Sequence, residues 1–362
     1  MKQLLITFLA LFCMNFSLHA ERIYVKTNAT GIENGASWQN AFTNIQEAIK
    51  QANPGDEIWV AKGMYFPTSG NDRSISFTLR ENITLYGGFN GVETALSQRN
   101  WESNETILSG NIGDKSTNTD NSTHVLVTAN GAIFDGFIVE AGYAQGGNGK
   151  QAMPQSMGAN QGQTERLGQG RVQSGQQSQG TGQPQTHTTP QSISQSANNA
   201  GGGILNFKAS ATVRNTTVRN CSAGKGGGVY NMTNTSTRPD GNSASPVFIN
   251  VKIQGNYAVG RGGGMQNDMG TNPVLINCVF IQNECNAKGG ALYNDFSCSP
   301  IILNCLFENN KAHDAAAIGN DGSSCPIIID TKIVNNTVES NGAGLYQGSY
   351  NANMRGKGIC RW

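Results

Sequence analysis

The chain has 362 residues, with 25 Lys and Arg against 24 Asp and Glu, a formal charge of +1 and 14% charged residues. So even a balance gives no electrostatic case for nucleic acid or an anionic membrane surface as a partner. Low charge with 46 glycines fits a glycine-punctuated β architecture.

In chain order, Met1-Lys2-Gln3, the apolar run Leu4 to Phe12 and the close Ser17-Leu18-His19-Ala20 have the layout of a secretory signal cleaved after Ala20. A transmembrane anchor needs about 20 apolar residues, and Asn15 interrupts the run. Cys13 follows Phe12, which is too bulky for a lipidation signal. No further candidate span follows, so the mature chain is expected to be exported and to carry no transmembrane segment.

Residues 21–144 read as an N-terminal cap and early coils. Ile23-Tyr24-Val25 is a first strand, and Ala41, Ile45, Ala48 and Ile49 share one face of a short helix that Pro54-Gly55 ends. That helix is expected to plug the open end of a coil and hide its first strand edges. Glu57 to Val60, Ile83 to Tyr86, Thr106 to Leu108 and His124 to Val127 read as further strands. The polar run Gly113 to Asn121 between them is either a binding face or a solvated loop. Residues 145–199 are dominated by Gln, Gly, Ser and Thr and cannot bury enough surface to fold alone. They are expected to be a disordered extrusion from one coil.

Residues 200–347 carry one phrase six times. It is Gly201-Gly202-Gly203-Ile204-Leu205-Asn206, then the equivalents beginning at Gly226, Gly262, Gly289, Ala315 and Gly342. After each phrase comes an apolar triplet, then a polar pivot (Asn250, Asn277, Asn304, Asp330) and a third short strand ending in Asn256, Asn283, Asn310 or Asn336. Three short apolar runs per repeat of about 27 residues, separated by turn signals, describe a coil of stacked strands, a parallel β-helix, rather than a propeller with its longer blades. Stacking brings equivalent residues about 4.8 Å apart. Asn206, Asn231, Asn267, Asn294 and Asn320 then form a structural ladder. The last stretch, 348–362, breaks the pattern where a triplet is due. The repeat reads there as cut short, or as covered by a partner.

Seven cysteines follow the leader. Cys278 and Cys305 share a ladder position, as a stacked disulfide or as buried thiols. Cys298 and Cys325 lie one repeat apart in turns and are the better disulfide pair. The scattered histidines offer no zinc site.

Gly289-Gly290-Ala291-Leu292, with Phe280-Ile281-Gln282-Asn283 and Phe307-Glu308-Asn309-Asn310, resembles the GGA(I/L/V) and FxxN repeats of the polymorphic outer-membrane protein family. Tyr24 to Tyr65 and Leu85 to Gly91 are similar to the start of exported β-helix repeat proteins of Bacteroidetes-type bacteria. The resemblance implies a right-handed coil at the surface of a Gram-negative cell, acting in adhesion, glycan or host-matrix binding or envelope structure. It implies no catalytic residue and no cofactor. The rival is a polysaccharide lyase or hydrolase, because pectin-lyase-like enzymes share the coil. Only the lyase would need Ca²⁺, held by carboxylates, beside a Lys or Arg base. The residues open to either reading are the carboxylate column Asp268, Asp295, Asp321 and the cation column Lys225, Arg261, Lys288. Ordinary turn chemistry accounts for the first and charge on a solvated edge for the second.

Overall fold

The computed structural model describes residues 20–145, 198–233 and 244–348. Residues 1–19 of the leader, nearly all of the Gln-rich insertion and residues 349–362 of the closing segment lie outside them.

Among the described residues the chain winds repeatedly through four sheets, all parallel. The first runs from Arg22–Val25 to Ile327–Ile329, the second from Gly63–Tyr65 to Lys332–Val334, the third from Tyr143–Ala144 to Thr337–Val338 and the fourth from Phe77–Thr78 to Leu345–Gln347. Strands pair with their counterparts one coil on, and in the first sheet Val247, Val274, Ile301 and Ile327 are successive partners. A right-twisted strand returning to its own sheet does so through a right-handed crossover, and the molecule is a right-handed parallel β-helix.

Three strands per coil were expected, and the structure has four. The extra strand follows the Asn256 column, as in Tyr257–Arg261 and Glu284–Cys285. It has two to five residues and polar ends, too little for an alternation to be read from the sequence.

From Thr212 to Glu308 the three-residue strands of the first two sheets bury only their central residue. Phe248, Leu275 and Ile302 line one wall and Ile253, Phe280 and Phe307 the next, all fully buried. Phe280 and Phe307 stack at 4.7 Å between centroids, the spacing the strands impose. Burying each such ring contributes about 2–3 kcal/mol. A single apolar cluster runs from Ile23 to Ile318 through the coil.

Turns between the sheets need left-handed backbone. The pivots Asn215, Asn250, Asn277, Asn304 and Asp330 have φ between 49° and 54°, which Asn tolerates. The first residue of each phrase is left-handed too, with φ of 66° at Gly262 and 74° at Gly289.

Helix α1, Ile45–Gln51, lies over the first coil with Ile45, Ala48 and Ile49 buried. Its N-cap Asn44 accepts from the Gln46 amide. No helix of the described residues is long and apolar enough to cross a membrane.

Candidate functional site

The fourth sheet carries the asparagine column inside the coil. Asn206 donates to Asn231 at 2.5 Å, Asn231 to Asn267 at 2.7 Å, Asn267 to Asn294 at 2.7 Å and Asn294 to Asn320 at 2.8 Å. The Thr128 hydroxyl begins the row and the Tyr346 carbonyl ends it. All five amides are fully buried. Each contact ties the amide of one coil to that of the next, and full burial keeps the row from a ligand, so it holds coils together.

Beside this row the structure brings the carboxylate and cation columns into one interlocked edge. The residue before a phrase reaches over to the carboxylate of the next coil: Arg261 to Asp295 at 3.1 Å and Lys288 to Asp321 at 3.0 Å. Tyrosines of the phrase do the same, Tyr230 donating to Asp268 at 2.8 Å and Tyr293 to Asp321 at 2.7 Å. The Arg261 guanidinium also lies 5.1 Å from the Tyr293 ring centre. Asp268 and Asp295 accept the amides of Met269 and Phe296, the turn chemistry expected of Asp there. Lys225 is exposed, and no ion pair is found for it among the described residues. Where Gln266 replaces tyrosine in the column, its buried Oε1 has no partner among the described residues.

Burial pushes the Asp295 carboxyl above its ordinary range. The charges of Asp268 and Asp321 add to this, while the Phe296 amide and Arg261 oppose it. Burial and the adjacent carboxylates raise Tyr230 and Tyr293 so far that both stay protonated. Burial opposes the Lys288 charge, but Asp321 outweighs it and raises the pKa. The edge is therefore a set of neutralised straps between coils. A carboxylate here could act as a free base only by giving up its Tyr, Arg or Lys partner.

The proposed Cys298–Cys325 disulfide is corrected by the structure. Cys298 is a free, fully buried thiol 3.6 Å from the Thr271 hydroxyl, and burial pushes its pKa up to about 12. Cys325 is disulfide-bonded, but not to Cys298. The reason is a coil of 26 residues instead of 27: Cys298 N meets Ser324 Oγ and Cys325 N meets Ser299 Oγ, so the two cysteines are one position out of register. Cys278 and Cys305 are free thiols stacked in the core, the Cys278 amide 3.4 Å from Cys305 Sγ.

A second candidate lies near the helix-capped end. The loop after the strand Gly63–Tyr65 and the loop after Thr106–Ser109 leave adjacent strands of the second sheet and enclose a cleft of about 420 Å³. Phe66, Thr68, Asn71, Ile112 and Lys115 are among its walls. The Lys115 ammonium sits 4.1 Å from the Phe66 ring centre and donates to the Asn111 carbonyl. The polar run Gly113 to Asn121, open in the sequence to being a binding face or a solvated loop, supplies Gly113 and Lys115 to one wall, and the other wall carries no such expectation. Only the coil geometry brings Phe66 to Lys115. The Phe66-Pro67 pair, an aromatic residue at a forced turn, was the available signal.

No protein-family model and no curated protein matches the chain. Among solved structures it is similar to pectate lyase Pel9A, at 14% identity over 86% of this chain and 62% of that one, with a TM-score of 0.46. It is also similar to a pectin methylesterase from Aspergillus niger, at 11% identity over 93% and 92% of the two chains and a TM-score of 0.43. A polygalacturonase from Erwinia carotovora ssp. carotovora shows 10% identity over 92% and 96%, with a TM-score of 0.30. The chain thus spans 62% of the length of that pectate lyase. Nothing about activity follows from likenesses this distant.

Proposed function

We propose that the chain is an exported β-helix that binds acidic glycan without turning it over, at the surface of a Gram-negative cell. The observation that carries this reading is the Phe66–Lys115 cleft, where an aromatic ring, an ammonium and neutral polar side chains converge on a groove of sugar size. A ring supplies a face for a sugar, and the ammonium supplies a partner for a uronate carboxylate. The carboxylates of the other candidate edge are already held by Tyr230, Tyr293, Arg261 and Lys288, which supports a scaffolding role for them. Export rests on the leader read in residues 1–20, and placement at the cell surface on the family resemblance.

The test is titration with oligogalacturonate, alginate and chondroitin oligosaccharides, with unsaturated-uronate absorbance followed in parallel. Saturable binding that Phe66→Ala and Lys115→Ala each weaken about tenfold, with no product, is the expected result. Product formation would replace this reading with that of a lyase.

A further inference from the structure

Six buried side-chain oxygens lack a hydrogen-bond partner among the described residues, and four of them fall within one twelve-residue loop: Asn111 Oδ1, Asp120 Oδ1, Asn121 Oδ1 and Ser122 Oγ. An orphaned buried polar atom costs about 1–3 kcal/mol, so four in one loop form an arrangement that needs something to satisfy it.

The loop is closed on itself. Ser122 N donates to Gly110 O at 2.9 Å and closes the mouth of the loop, setting 110–111 beside 121–122. Asp120 folds back across the loop, its Oδ2 accepting from Asp114 N at 2.6 Å. It lies so close to Gly113, at φ 65°, that a Cβ there would be 2.4 Å from Oδ2. The other carboxyl oxygen of Asp120 is left buried and bare. Asn121 is 3% exposed and Ser122 fully buried. The Asn121 amide nitrogen donates to Ala141 O at 2.8 Å, while its Oδ1 has no partner among the described residues.

The orphans are a carboxylate, two amide carbonyls and a hydroxyl, all hard oxygen donors. A missing hydrogen-bond donor or a hard cation would satisfy them; a second acceptor would not. Arg73 and Lys115 do not meet the need. Arg73 donates to the backbone carbonyls of Asn121 and Tyr143, and Lys115 to the carbonyl of Asn111. Asp114 turns Oδ1 to Ser116. No cluster of three His, Cys, Asp or Glu occurs among the described residues. A transition-metal site is therefore not indicated, whereas Ca²⁺ accepts a set rich in neutral oxygens.

We propose that the Gly110–Ser122 loop binds a calcium ion through Asp120, Asn111, Asn121 and Ser122. The site is separate from the straps around Asp268 to Asp321, and it does not depend on the glycan reading. Its Ile112, Gly113 and Lys115 form one wall of the cleft, so the ion sets the shape of that wall.

The experiment uses the full chain, stripped with EDTA and titrated with CaCl₂ alone by calorimetry, with thermal unfolding followed in parallel. One ion per chain is expected, with a dissociation constant of about 10⁻⁴ to 10⁻³ M for a site with so few carboxylates. Unfolding should move to higher temperature and return with EDTA. Asp120→Asn keeps an acceptor for the Asp114 amide and should unfold like the parent in EDTA, while binding Ca²⁺ at least about tenfold more weakly. Two results would overturn the site: no saturable heat and no thermal shift in the parent at about 10 mM CaCl₂, well above that constant, or unchanged binding in Asp120→Asn. Buried water would then be what fills the loop. Because no glycan is present, failure here is distinguishable from failure of the cleft to bind sugar.

Discussion

Asn267 stands in the middle of a row in which every member gives one hydrogen bond and takes one. Replacing it with Ala strips Asn231 of its acceptor and Asn294 of its donor, both fully buried. Denaturant unfolding should show a loss of about 2–5 kcal/mol. The row was legible because every coil writes the same residue at the same place. The partners of Asp295 were not, because Arg261 reaches it across a coil boundary, 34 residues away. Asp295 also carries a pH signature. Its folded pKa is raised, chiefly by burial, so the folded state holds its proton more tightly than the unfolded chain. The stability it contributes is complete below the unfolded value of about 3.9 and is lost as pH rises through the raised folded value. Asp295→Asn should therefore gain on the parent in unfolding temperature as pH is taken from 3 to 7 (about one unit below the unfolded value to well above it). An unchanging difference over that range would refute the assignment.

At the scale of elements, the helix and the apolar triplets could be read in advance and the third sheet could not. A helix declares itself by spacing, as Ile45, Ala48 and Ile49 do. A two-residue strand such as Glu284–Cys285 has no period to show. The cysteine register failed for a related reason: a spacing of 27 residues was applied to a coil that holds 26, and one residue is enough to move a side chain to a different neighbour. Helix α1 matters most for what it covers. Ile49→Lys would put an ammonium where a fully buried side chain packs, costing about 3 kcal/mol or more. It would also loosen the cover over the first strands. Light scattering should then show concentration-dependent association, as unpaired strand edges recruit other chains.

For the whole molecule, contacts run almost entirely between neighbouring coils, so stability is a sum of similar increments. Removing residues 262–288, one full phrase-to-phrase unit, joins Arg261 to Gly289 and keeps every column continuous. That variant should fold with a β-type circular dichroism spectrum and a modestly lower unfolding temperature. Removing half as many residues should abolish folding, because inward and outward positions then exchange along the remaining chain. The cleft and the calcium loop lie in earlier, less regular coils, where no repeat marks the residues that differ from their neighbours. This is why the repeat displayed the scaffold and hid the candidate sites.

The amide row has a direction. Each Asn side chain from Asn206 to Asn294 gives its hydrogen to the coil that follows, and so do Asn256, Asn283 and Asn310 in the second column. The side-chain dipoles thus add head to tail along the axis, polarising one another as they accumulate. Within the described residues the row therefore starts on an acceptor, met by the Thr128 hydroxyl, and finishes on a donor, met by the Tyr346 carbonyl. Coils joined end to end, within one chain or between copies, can continue these rows only when they all face the same way.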